Sequence, residues 1–180
     1  MKEKLLKQTQ HEYSPRERII ALMVEAIFFL GILPGALVYF SPRLDRQLAL
    51  PSGAFGMINL VLGGGVVVAG ILFAWWAIYV QFTIGRGTPA PIMATQELII
   101  QRPYNYCRNP MALGTIVAGL GLAIFIGSIS AVVVVLTLAG LLLGYIRLLE
   151  EREMELRFGD AYREYRKQTP FIIPRFRKRK

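Results

Sequence analysis

The chain has 180 residues, a length that suits one domain. Apolar residues make up 54% of it, mean hydropathy is +0.43, and charges crowd outside 19–149, which excludes a soluble globule with evenly spread charge. One cysteine and one histidine exclude an internal disulfide, a Cys/His metal cluster and a Ser-His-Asp triad, so no metal is expected.

The formal charge of +9 is concentrated at the two ends. Lys2, Lys4, Lys7, Arg16 and Arg18 precede the first apolar segment, and eleven Lys or Arg follow Leu143. Beside apolar segments such basic ends point to cytoplasmic retention and anionic headgroups, and not to nucleic acid. Residues 1–18 read as a polar cytoplasmic lead without a cleavable signal peptide, and Ser14-Pro15 reads as a helix start. Residues 19–180 read as a single membrane domain.

Ile19–Phe40 is the first expected span, close to the roughly 20 residues that cross the hydrocarbon. Its Glu25 either reaches the interface or an arginine, or lines a functional cavity. Pro34 predicts a kink. Ser41–Gly53 reads as a loop and Ala54–Val80 as the second span. Gly63-Gly64-Gly65, Ala69 and Gly70 offer a small face for close helix approach. Trp75, Trp76 and Tyr79 suit the headgroup belt.

Gln81–Pro110 reads as a long polar loop. Gly85, Gly87, Pro89 and Pro91 bar a helix through its first half. Gln96–Ile100 is expected to form a short ordered element before a turn at Arg102-Pro103. Met111–Ile126 is a third, marginal span, Gly127–Ser130 a tight turn, and Ala131–Leu149 the fourth span. Gly114 and Ala118 on one helix, and Gly140 and Gly144 on the next, predict close antiparallel packing. The helix is expected to run past Glu150 and stop at Gly159. The fold class is therefore all-α and polytopic, with about four transmembrane helices. Four crossings put both termini, the 81–110 loop and the 150–180 block in the cytoplasm, where loop and block meet in one pocket.

Arg108-Asn109-Pro110 opens the third segment. Pro110 suits a first helical turn, and the free N–H groups beside Arg108 suit an anion such as a carboxylate. Arg108 serves equally well as an anchor to lipid phosphate. Glu150-Glu151 can accept from ribose hydroxyls or pair a cation. They can equally form a solvated face with Arg147, Arg152 and Arg157. Tyr162 and Tyr165 share a helix face.

RPYNYCRNPMALG resembles the G-x-Y-x-x-x-R-[HN]-P-x-Y-x-G motif of the isoprenylcysteine carboxyl methyltransferases, relatives of the phospholipid methyltransferases. EEREMELRFGDAYREYRKQTPFIIP resembles that family's E-E…F-G-x-x-Y-x-x-Y ending, so the likeness covers about 85–174. It implies an integral membrane enzyme that uses S-adenosyl-L-methionine without a Rossmann domain. It implies that Gln96, Glu97, Leu98, Ile99, Tyr104, Asn109, Pro110, Met111, Ala112 and Glu150 line the cofactor, with Arg108 and Glu151 supporting the charge balance. Arg147 stands one position out of register from a substrate-facing arginine. Arg102, Asn109, Ala112 and Phe171 depart from the usual glycine, histidine, tyrosine and arginine.

The implied acceptor is a lipophilic or lipid molecule with a carboxylate, thiol or amine. The implied location is a bacterial or archaeal cell membrane. An NADPH-dependent membrane reductase and a non-catalytic scaffold or transporter subunit are the rival readings.

Overall fold

The computed structural model describes residues 14–51, 53, 56–85 and 95–175. The expectations for 1–13, for 86–94 and for the basic run 176–180 lie outside them. The described residues form helices and irregular segments, with no strand among them.

Helix α1 (Pro15–Ala26) opens with a reciprocal cap. Ser14 donates through its N–H and its hydroxyl to the Glu17 carboxylate, each at 2.8 Å, and the Glu17 N–H returns to the Ser14 hydroxyl. A π-helical segment, Ile27–Ile32, then leads into α2 (Leu33–Gln47), whose first turn holds Pro34. The widened turn is visible where the Leu33 N–H reaches back five residues to the Phe28 carbonyl.

The helix does not give way to a loop at Ser41. It continues to Gln47 with Pro42 inside it. Ser41 donates to the Leu37 carbonyl at 2.6 Å and the Arg43 guanidinium to the Tyr39 carbonyl, so side chains serve the backbone around the proline. Among the described residues Glu25 forms no ion pair with an arginine, and its Oε2 is buried without a hydrogen-bond partner.

Helix α3 (Met57–Thr83) starts three residues later than expected and ends three later. Helices α4 (Pro110–Ile126) and α5 (Ile129–Tyr145) follow, separated by Gly127 at φ 69° and Ser128. A second π-helical segment, Ile146–Glu150, joins α5 to α6 (Glu151–Gln168). Gly159, at φ 54° and ψ −126°, breaks α6 without ending it. The expected stop at Gly159 is therefore a kink. Tyr162 and Tyr165 beyond it are buried, which gives the second half of the helix its own apolar face.

Among the described residues three helices are long and apolar enough to cross a membrane: Ile19–Gln47, Met57–Thr83, and the continuous Ile129–Gln168, whose apolar part ends at Leu149. The fourth apolar helix, Pro110–Ile126, has 17 residues. This is an integral membrane protein. Ile19–Gln47 has no buried residue in its most apolar stretch, as expected of a helix bathed in lipid.

The chain falls into two compact units. One comprises Ala26–Trp75 and Ala112–Leu143. Leu37, Ala123, Ala131 and Val135 form its core. The Asn59 amide donates to the carbonyls of Gly53 and Ile124, and the Asp45 carboxylate accepts from the Ser130 N–H at the start of α5. Glycines set the contact of α3 with α4. A methyl on Gly70 would lie 2.4 Å from the Ala118 nitrogen, and one on Gly121 would lie 2.6 Å from the Val67 nitrogen. Gly114 meets Ala74 in the same way. The expected pairing of Gly114 and Ala118 with Gly140 and Gly144 is thus corrected: the small face of α4 turns to α3, and nothing lies within 4 Å of a methyl built on Gly140 or Gly144. Identical spacing on two helices identifies a close-packing face but not its partner.

Candidate active site

The second unit, Met1–Glu25, Trp76–Met111 and Gly144–Lys180, holds most of the residues expected to form the site. Its irregular segment begins where Gln96 and Glu97 both donate backbone N–H groups to the Gly85 carbonyl. Gln96–Ile100 is neither helix nor strand; Ile99 is buried and Glu97 exposed. A run of turns over 101–106 follows, with a cis bond between Arg102 and Pro103. Pro103, Cys107 and Pro110 are fully buried. Burial pushes the Cys107 thiol up to about 11, so it stays protonated and inert as a nucleophile at neutral pH.

Arg108 is the hinge pin of this unit. Its Nε and Nη2 donate to Glu151 Oε1 at 2.9 and 2.5 Å. Its Nη1 donates to the carbonyls of Arg166 and Thr169 at 2.9 and 2.8 Å. Arg166 lies in the last turn of α6 and Thr169 is its extended C-cap, where the helix itself supplies no donors for these carbonyls. One planar guanidinium thus ties the polar loop to both ends of α6. Its donors are directed at the protein, which favours neither a carboxylate ligand nor a lipid phosphate on Arg108.

The chain after α6 turns back along the loop. Thr169 is extended and closes α6 through its N–H to Tyr165. Arg108 N–H donates to the Pro170 carbonyl, the Asn109 amide to the Phe171 carbonyl at 3.0 Å, and Arg175 N–H to the Tyr106 carbonyl. The Tyr165 hydroxyl donates to the Tyr104 carbonyl at 2.7 Å, and the Tyr104 hydroxyl to Gln81 Oε1 at 2.8 Å. Burial raises both phenols well above their ordinary range, so both act as donors. Phe171 carries two guanidinia, with Arg108 5.7 Å and Arg147 5.6 Å from its ring centre.

Glu150 and Glu151, adjacent in sequence, meet different fates. Glu151 is paired with Arg108. Glu150 is half-buried and makes no hydrogen bond or ion pair among the described residues. Burial, reinforced by Glu153, pushes its carboxyl up to about 7. An acid held so is suited to a cationic ligand, whose charge would replace the missing partner.

Within this unit the structure therefore joins Arg108, Asn109, Glu151 and Tyr104 in one hydrogen-bonded assembly. Pro110 and Met111 head α4; Gln96, Leu98 and Met111 are half-buried. Arg147 lies on the π-helical segment, exposed. Ala112 belongs to the other unit, where it is buried. A cleft of about 260 Å³ in that other unit is lined by residues including Ile58, Asn59, Leu62, Ala123, Ile124 and Val132, and none of the expected site residues lines it. Sequence reasoning missed Gln81, the acceptor for Tyr104, and the roles of the Arg166 and Thr169 carbonyls. Gln81 opens the expected polar loop yet lies in the last turn of α3, with nothing in its sequence position to signal this contact, and backbone acceptors carry no sequence signal.

Searches of curated proteins and of solved structures returned no match. The family model described as phospholipid methyltransferase matches residues 58–161, which include α3, the polar loop, α4, α5 and the start of α6 with Glu150 and Glu151. The match covers more than half of the 180 residues, and the chain belongs to the phospholipid methyltransferase family.

Proposed function

We propose that this protein transfers a methyl group from S-adenosyl-L-methionine to a lipophilic acceptor held in the membrane. The observation that carries the reading is the unpartnered, half-buried carboxylate of Glu150 beside the Arg108–Glu151 clamp. S-adenosyl-L-methionine, when bound, supplies an electrophilic methyl on a cationic sulfonium, and its amino-acid end adds an ammonium and a carboxylate.

The residues present fit such a molecule. Glu150 offers an anion without a partner for a cationic group. Gln96, Leu98 and Met111 are half-buried, so they have surface left for a ligand. Arg108 and Glu151 act through the backbone: by pinning the loop to α6 they hold Asn109 and Glu150 in fixed relation. Transfer between a sulfonium and a nucleophile needs alignment above all, which a rigid clamp provides. A carboxylate or thiolate acceptor needs no base, whereas a protonated amine must first lose a proton, and an ionised Glu150 can take it. Within this reading the 17-residue helix Pro110–Ile126 completes a fourth crossing, and both termini and the site face the cytoplasm.

Calorimetry of purified protein with S-adenosyl-L-methionine tests the binding half. Glu150 is mostly protonated below about pH 7 and ionised above it. Affinity for the cation should therefore rise as pH goes from 6 to 8, and Glu150→Gln should remove that rise. Absence of binding to either S-adenosyl-L-methionine or S-adenosylhomocysteine at any pH would refute the assignment.

A further inference from the structure

Glu25 is the only charged residue between Ile19 and Phe40, and the fold leaves it unpaired. Its Oε2 is buried with no hydrogen-bond partner, and among the described residues it makes no ion pair. Ala21, Leu22 and Glu25 are half-buried and share one face of α1, at spacings of one and three residues. Met23 and Val24 between them are 61% and 62% exposed. The carboxylate therefore stands on the covered face of the helix, at its border with lipid. A lone carboxylate inside the hydrocarbon costs on the order of 3 kcal/mol by insertion scales, and a cation beside it offsets that cost. Two residues on, the helix widens into the π-helical segment Ile27–Ile32, a distortion that recurs at functional sites.

Depth says which cation fits. Glu25 lies six residues past Ile19, where the apolar stretch begins, or about 9 Å along the helix. Hydrated ions pay a large desolvation cost at that depth. Among the described residues no group of three or more His, Cys, Asp or Glu gathers to replace a metal ion's water. The amine of a phospholipid is tethered to its phosphate at the headgroup level, above this carboxylate. An ammonium attached directly to a hydrocarbon chain has neither obstacle, because its tail already favours the bilayer. We propose that Glu25 anchors a binding site for such a lipophilic amine, entered sideways from the membrane past Met23 and Val24. Glu25 lies outside the matched residues 58–161, so the site belongs to this chain's own first helix. Binding there requires neither a methyl donor nor Glu150.

The test uses the full chain in a nonionic detergent at neutral pH, where an alkylamine is cationic, and without S-adenosyl-L-methionine. Three probes are titrated by calorimetry against empty micelles as blank: decylamine, decanol with the same chain and no charge, and dihexanoyl phosphatidylethanolamine. Wild type should bind decylamine about tenfold more tightly than decanol, the effect of one charge-assisted contact. Glu25→Gln should bring decylamine down to the level of decanol and leave decanol unchanged. Glu25→Asp, which keeps the charge one methylene further back, should retain part of the preference. Phosphatidylethanolamine should bind wild type and Glu25→Gln alike. Glu164→Gln, at an exposed carboxylate of α6, should alter none of the three.

Equal affinity of wild type for decylamine and decanol would overturn the proposal, and so would decylamine binding undiminished in Glu25→Gln. A loss of phosphatidylethanolamine affinity in Glu25→Gln would also overturn it, because the carboxylate would then serve a headgroup. Should Glu25→Gln fail to fold, the wild-type comparison of decylamine with decanol still decides. Because no methyl donor is present, failure of donor binding elsewhere leaves this result independent.

Discussion

Arg108 shows how much one side chain can organise. The Arg108 and Glu151 side chains are only 10% and 11% exposed, and together they neutralise one another inside the fold. Arg108→Ala leaves the Glu151 charge and two helix-end carbonyls without their donor. Removing one partner of a buried pair costs on the order of 3 kcal/mol, so thermal unfolding in detergent should show a clear loss of stability. Arg108→Lys should recover little, because one ammonium cannot span the carboxylate and the two carbonyls. Glu150 makes an opposite prediction. Its folded carboxyl titrates at about 7 against 4.5 for an ordinary glutamate. The raised value means that the neutral form is favoured in the fold. That stability is fully present below about pH 4.5 and is lost as pH rises through 7. Unliganded protein should therefore lose stability across this window, and Glu150→Gln should flatten the change in a pH series of melting curves. At this scale the sequence was informative about identity and silent about partnership. Glu150 and Glu151 stand side by side, and nothing in their order says which one Arg108 takes.

Helices here carry signals of different legibility. Apolar stretches were found with ends wrong by a few residues. Continuations such as Leu33–Gln47 were hidden because Pro42 and two arginines mimic a loop. The π-helical segments left no mark in composition. The faces were harder still: Ile129–Tyr145 is apolar all round, because lipid and protein neighbours both favour aliphatic side chains, so periodicity cannot separate them. Glycines partly filled that gap. Gly70→Leu should force α3 from α4 and cost about 1–3 kcal/mol or more as overpacking, since the obstructing atoms at Ala118 are backbone. Gly140→Leu, with open space around the glycine, should change unfolding little. Comparing the two variants by thermal unfolding in the same detergent checks the assignment of the α4 small face to α3.

For the molecule, the informative feature was that polar residues gathered in two blocks of an otherwise apolar chain. A membrane protein keeps such blocks only where water, headgroups or a ligand can meet them. That reasoning foresaw the association of 96–111 with the C-terminal block, and the Arg108–Glu151 pair and the Asn109–Phe171 bond realise it. What remained hidden was the return of 169–175 along the loop, which is made through backbone groups. The central claim is that this assembly presents a methyl donor to a membrane-borne acceptor. It is tested most directly by incubating membranes that contain the protein with S-adenosyl-L-methionine labelled in its methyl group, then counting label in the organic-extractable lipid. The account predicts label well above control membranes without the protein, and a fall of about tenfold or more with Glu150→Ala, in the range typical of a lost charged contact. Label no higher than in the control membranes, or undiminished in Glu150→Ala, would contradict it.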